Sequence, residues 1–155
     1  MRAPISTYLG YENWQYFKTP ELFGDHYYAI GDFFNDPEYN YSLDLAVLII
    51  DSTETVKLLI YEAYNYFHPL EGISFIDLKD DYNWVGNFRA VEPKHPIWSN
   101  YVEDSLDEGI REFEETPENE ITYLSYHALY LHAGESCGGG FIYWENDEWN
   151  WRQQE

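Results

Sequence analysis

A single cysteine, Cys137, stands in 155 residues, so no intramolecular disulfide can form and a reducing compartment is expected. Long apolar runs are also missing. The longest, residues 45–50, is far too short to span a bilayer. The opening residues, Met1-Arg2-Ala3-Pro4-Ile5-Ser6, lack the apolar stretch of a secretory signal. Positive charge is the scarcest property: 8 Lys plus Arg face 29 Asp plus Glu, a net charge of −21. That balance disfavours direct binding to nucleic acid or to an anionic membrane, because like charges repel. A cytoplasmic protein with neither partner is the expectation. The cytoplasm would be a host's if the gene is carried by a phage.

Hydrophobic residues, by contrast, make up 45% of the chain and aromatics 20%. This is not the composition of a disordered chain. One domain spanning residues 1–155 suits the length. Halophilic adaptation would explain the acids but not 16 Tyr and 6 Trp. The charge is also uneven. Residues 1–52 hold eight acids and two bases, residues 53–102 seven and four, and residues 103–155 fourteen and two. Over half of the net charge therefore lies in the last third.

Local patterns predict an α+β domain, a mixed sheet with about four helices, one of them strongly acidic. Thr19-Pro20-Glu21, Asp36-Pro37-Glu38 and Thr116-Pro117-Glu118 each read as a helix start, with an N-cap oxygen, Pro and then an acid. Residues 52–67 read as a helix behind Asp51 and Glu54, with Val56, Leu59, Ile60, Ala63 and Phe67 as its stripe. Residues 45–50 and 73–78 read as flanking strands of a β-α-β unit. A helix over 37–50 is the rival for the first of these. Residues 82–91 read as a strand, paired in a hairpin with 73–78. Residues 1–17 add an aromatic strand, residues 141–144 another, and 145–155 form an acidic, Trp-bearing tail.

Residues 99–115 carry most of the functional signal. Read as a helix, Val102, Leu106, Ile110 and Phe113 fall within an arc of roughly 80°. Asp104, Asp107, Glu108, Glu112 and Glu115 occupy the opposite half, and Glu103 and Glu114 flank the stripe. Gly109 weakens such a helix by about 1 kcal/mol relative to Ala. Solvated helices normally pair acids with bases at i+4. Here the pairs are Glu103–Asp107, Asp104–Glu108 and Glu108–Glu112, which repel. A surface that forgoes pairing invites a basic partner, although a solvated acidic face without a partner has the same appearance. In the tail, Trp144, Glu145, Asp147, Glu148, Trp149 and Trp151 combine carboxylates with rings suited to Lys stems and guanidinium planes. Aromatics beside acids in 36–41 and 80–84 read the same way.

These residues point to an acidic binding or inhibitor protein. The partner class is a basic, nucleic-acid-binding protein such as a nuclease or a restriction or CRISPR component. By composition alone, the chain is analogous to the DNA mimics with which phages and mobile genetic elements block such systems. An immunity protein against a nuclease toxin has the same chemistry, as does an acidic adaptor unrelated to nucleic acid. A homodimer is left open. A small hydrolase is the reading from another class: Gly134-Glu135-Ser136-Cys137-Gly138 fits Gly-x-Ser-x-Gly, and His26, His68, His95, His127 or His132 could act as base. That motif needs a strand before and a helix after, whereas glycines followed by Phe141-Ile142-Tyr143-Trp144 suggest a turn and a strand. No enzyme, cofactor or metal site is expected, because the His are dispersed and no phosphate-binding loop is present.

Overall fold

The computed structural model describes residues 15–16, 28–33, 43–50, 53–61, 73–104, 107–134 and 138–154. Thirteen strands run through them: β1 (Gln15–Tyr16), β2 (Tyr28–Gly31), β3 (Asp44–Ile50), β4 (Val56–Tyr61), β5 (Ile73–Phe75), β6 (Val85–Val91), β7 (Pro96–Ile97), β8 (Tyr101–Asp104), β9 (Asp107–Ile110), β10 (Thr122–Tyr123), β11 (Ala128–Ala133), β12 (Gly139–Glu145) and β13 (Glu148–Gln154). Every pairing between them is antiparallel. Among the described residues the only helical segments are two three-residue 3-10 turns, Phe113–Glu115 and Glu118–Glu120. The expected α+β fold with a mixed sheet and four helices is therefore wrong.

Two sheets face each other. The first runs β1-β3-β4-β5, with β2 sharing the β1 side of β3; the second runs β13-β12-β11-β6. Strand alternation decides what meets between them. Ala46 and Leu48 of β3 and Val56, Leu58 and Ile60 of β4 form one cluster with Phe88 of β6, Leu129 and Leu131 of β11 and Ile142 of β12. Fully burying each of the larger side chains is worth about 1.5–3 kcal/mol. Polar links stitch the layers: the Asp32 amide donates to His127 Nδ1 (3.2 Å), and the His127 amide donates to the Asp32 carbonyl (2.9 Å). Asp44, 3% exposed, accepts from the Phe33 amide at 2.9 Å.

The β-α-β reading of 45–78 fails at residues 56–61. These form β4, hydrogen-bonded antiparallel to β3 with Ile50 opposite Val56. Glu54, expected in a capping box, instead takes a left-handed φ of 64° in the turn between the two strands. Val47, Ile49 and Leu59 are buried on the face turned away from the sandwich, so β3 and β4 are apolar on both faces. Such strands present nearly continuous apolar runs, broken in β4 by Lys57, which satisfy helical spacing by accident. The rival helix over 37–50 is excluded for 44–50. Helix starts at Pro20 and Pro37 lie outside the described residues, as does most of the strand placed in 1–17. The start at Pro117 yields only the Glu118–Glu120 turn. β6 covers most of 82–91 but pairs with β11, not with 73–78.

The outer face of the second sheet carries a third, smaller layer. Ile97 and Leu124 rest on Ala128, Phe141 and Tyr143. β7 and β10 pair there, Ile97 opposite Thr122, and the segment between them projects from this base.

Two glycines permit close approach. A Cβ on Gly86 would fall 2.5 Å from the Gly134 amide nitrogen, where the β6–β11 register shifts. A Cβ on Gly140 would fall 2.7 Å from Trp151 Cζ2, so the indole can lie across β12.

An acidic surface built from two hairpins

Residues 98–121 leave β7 and must return to β10, its paired neighbour. A 17-residue helix would carry the chain roughly 25 Å away. A hairpin returns to its origin, and that is what forms. Tyr101 pairs with Ile110, Val102 with Gly109, Glu103 with Glu108 and Asp104 with Asp107. The acidic helix expected over 99–115 does not exist, and its apolar stripe disappears with it. The acids nonetheless remain like-charged neighbours. Opposite positions in an antiparallel pair have Cβ atoms about 5 Å apart, where like charges destabilise. Glu103–Glu108 and Asp104–Asp107 are two such pairs in succession.

The return arm continues the same chemistry. Glu112, Glu114, Glu115, Glu118 and Glu120 are all exposed on or beside the two 3-10 turns. Thr116 ties the first turn together, its hydroxyl donating to the Glu112 carbonyl at 3.0 Å. Arg111, the one base in residues 99–121, is turned inward on its own segment. It forms an ion pair with Glu120 at 2.5 Å and reaches the Ser99 carbonyl at 3.4 Å. Its amide donates to the Asn100 carbonyl at 2.7 Å and its carbonyl accepts from Trp98 Nε1 at 3.3 Å. Trp98 stands edge-on to Phe113, ring centres 5.1 Å apart. The base of the acidic segment is thus braced by rings and backbone, and its nine acids share a single base, Arg111.

The second group is not a tail. Residues 148–154 are β13, paired along seven positions with β12. Asn146 and Asp147 form the two-residue turn, with φ of 55° and 61°, the left-handed pair that a type I′ hairpin requires. Glu145 and Glu148 lie directly opposite each other at its root, a third like-charged cross-strand pair. Glu145, Asp147 and Glu148 are exposed. The rings behave differently. Trp149 and Trp151 pack against the sandwich core, and Trp144 meets Trp149 edge-on at 5.3 Å. Trp151 also meets Trp84 at 6.1 Å, and Lys79 Nζ sits 4.4 Å above its ring. These indoles close the core edge on the inner face of the sheet, while Glu145 and Glu148 alternate to its outer face.

In the 80–84 stretch Asp80 and Asn83 are exposed, but the tyrosine expected at the surface is not. Tyr82 is fully buried and donates to the Ile76 carbonyl at 2.8 Å. Burial drives its phenol well above the ordinary tyrosine range. Asp81 is turned to the backbone, accepting from the amides of Val56 (2.9 Å) and Asn83 (3.0 Å). The aromatic stretch 36–41 lies outside the described residues. Glu118 and Glu120 continue the acidic segment beyond the helix expected over 99–115. The β12–β13 hairpin is tied to β10, at the foot of the acidic segment, by Arg152, whose guanidinium donates to the Thr122 hydroxyl at 3.4 Å.

Ser136 and Cys137 lie outside the described residues. Their segment joins two antiparallel strands, β11 and β12, and is closed by the Ala133 amide donating to the Gly138 carbonyl at 2.8 Å. His127 bridges Asp32 and Glu92, with Nε2 3.3 Å from the latter. His132 stacks on Tyr130, ring centres 5.9 Å apart. His95 leans on Phe141, and partial burial followed by the nearby Arg89 charge lowers its pKa. Among the described residues no group of three or more His, Cys, Asp or Glu could hold a metal ion. No helix among them is long and apolar enough to cross a membrane.

Fold and surface together define an antiparallel β-sandwich with an acidic hairpin layer on one face. No protein-family model, curated protein or solved structure matches the chain.

Proposed function

We propose that this protein is a non-catalytic cytoplasmic binder that occludes a basic, nucleic-acid-binding surface of another protein, in the manner of a DNA mimic. The observation that carries the reading is the succession of like-charged cross-strand pairs in one hairpin, Glu103–Glu108 and Asp104–Asp107, followed by exposed glutamates through residue 120. Opposite positions in an antiparallel pair lie about 5 Å apart and successive positions alternate in face, so such a hairpin carries like-charged pairs on both of its faces. Repulsion retained at a surface lowers stability, and selection for binding is a sufficient reason to retain it. Such a field also steers a basic partner and slows others. The class of partner is a nuclease or a restriction or CRISPR component; a nuclease toxin would make the protein an immunity factor.

The test is affinity capture from the native host at low salt, followed by competition. Captured partner is titrated with duplex DNA and, separately, with salt. DNA and this protein are expected to exclude each other, and affinity is expected to fall steeply with salt. Reversing Glu103, Asp104, Asp107 and Glu108 together to Lys abolishes binding while the sandwich remains folded. A partner that holds DNA and this protein at once sinks the proposal in favour of an adaptor.

A further inference from the structure

β13 is an edge strand: among the described residues it pairs with β12 alone. Natural edges are blunted by Pro, Lys, bulges or brevity, because alternate residues turn their N–H and C=O groups outward as a template for another strand. β13 has no Pro, Lys or bulge and is not short; the charges it carries, Glu148 and Arg152, are of opposite sign. It runs Glu-Trp-Asn-Trp-Arg-Gln-Gln for seven residues with an unbroken register. Its charges are arranged symmetrically. Glu148 and Arg152 lie two residues either side of Asn150, all three on the outer face of the sheet. Four residues along a strand span about 13 Å, so Glu148 cannot reach Arg152 of its own strand. Its immediate cross-strand neighbour is Glu145, another acid.

We propose that this edge is a homodimerisation strand, on which a second copy of the chain pairs antiparallel about a two-fold axis at Asn150. A two-fold axis normal to the sheet keeps core face with core face, so only registers that match residues of the same face are allowed. Centring on Asn150 sets Glu148 opposite Arg152 of the second copy, and the reverse, giving two ion pairs that draw on a guanidinium whose contact within its own chain is the Thr122 hydroxyl at 3.4 Å. Trp149 then lies opposite Trp151 of the second copy, which continues the half-buried indole edge across the junction. Centring on Trp151 sets Asn150 against Arg152, and centring on Arg152 sets two guanidiniums together. Charge complementarity therefore selects one register. The Asn150 side chain folds back to the Glu145 and Glu148 carbonyls at 3.2 and 3.1 Å, away from the axis. This inference stands apart from the acidic-surface reading and fails or holds without it.

Sedimentation equilibrium of the full chain in ~0.15 M salt tests it, since screening over about 8 Å there limits repulsion between the two molecules. A reversible monomer–dimer equilibrium is expected. Glu148→Arg and Arg152→Glu, each of which turns two attractive contacts into repulsive ones, weaken the dimer by about tenfold. The combined swap, Glu148→Arg with Arg152→Glu, restores it. A separate probe reads the register: Asn150→Cys in a Cys137→Ser background forms a covalent dimer on oxidation, because opposite non-hydrogen-bonded positions approach to about 4.5 Å. A strictly monomeric wild type, a dimer indifferent to the single reversals, failure of the swap to restore, or a dimer that does not cross-link at residue 150 would each overturn the proposal.

Discussion

Replacing Glu108 with Lys is expected to stabilise this protein. Most substitutions destabilise by roughly 1 kcal/mol, so a gain is diagnostic. Glu108 lies opposite Glu103 in the β8–β9 hairpin, and Asp104–Asp107 is the adjoining pair. A like-charged opposite pair costs, and an oppositely charged one contributes, some 0.2–1 kcal/mol each. Reversing one member sums both effects, and solvent screening brings the expected gain to about 1 kcal/mol at low ionic strength. For a chain of this size that raises Tm by roughly 2–4 °C. Glu108→Gln removes the repulsion without adding attraction and should gain about half as much on the same scale.

Urea unfolding at ~0.01 M and ~1 M salt is the assay, because the screening length falls from about 30 Å to about 3 Å between them. The gain should shrink towards zero at the higher salt. Coupling supplies the sharper test. Glu103→Lys and Glu108→Lys each stabilise, but the double variant recreates a like-charged pair and loses most of both gains. In a helix, residues 103 and 108 would not face each other and the two gains would add. Additive gains, or a Glu108→Lys protein no more stable than wild type at low salt, would refute the hairpin-repulsion argument.

Two further outcomes follow from the interior. Tyr82→Phe strips the Ile76 carbonyl of its buried donor and should cost about 1–3 kcal/mol at neutral pH. Because burial raises the folded-state pKa of Tyr82, its contribution is complete below the ordinary tyrosine pKa near 10 and is lost as pH climbs above that value; the alkaline fall in stability should be shallower in Tyr82→Phe than in wild type. Gly140→Ala drives a methyl group into the Trp151 ring and the Arg152 backbone, which should cost about 1–3 kcal/mol in thermal unfolding and shift Trp fluorescence.

Short apolar runs are legible in the sequence as strands, although residues 45–50 also satisfy helical spacing and leave a helix over 37–50 as a rival. Residues 45–50 and 141–144 are short, β-branched or aromatic, and bounded by polar turns; they became β3 and β12. Residues 56–61 resisted because β4 is buried on both faces, so apolar residues fall at 56, 58, 59 and 60 and satisfy two periods at once. Tyr82 was hidden by polar neighbours, since nothing local reveals that Asp81 serves backbone amides 25 residues away. The 99–115 segment was misread for a non-local reason. Its conformation is dictated by the pairing of Pro96–Ile97 with Thr122–Tyr123, which requires the chain to come back. The acids themselves were legible regardless, because charge counting does not depend on backbone geometry.

That independence bears on why the acids are there. Glu103, Asp104, Asp107 and Glu108 repel as i,i+4 neighbours in a helix and as cross-strand neighbours in a hairpin, so neither conformation of the segment relieves them. Stability for the layer must come from beneath: Ile97 and Leu124 against Phe141 and Tyr143, and Trp98 against Phe113. Arg111, which could have neutralised the tip, is instead bound to Glu120 and the Ser99 carbonyl at the root. The apolar anchor and the inward base thus hold the acidic segment in place, and in the function proposed above the complementary cations come from a basic partner.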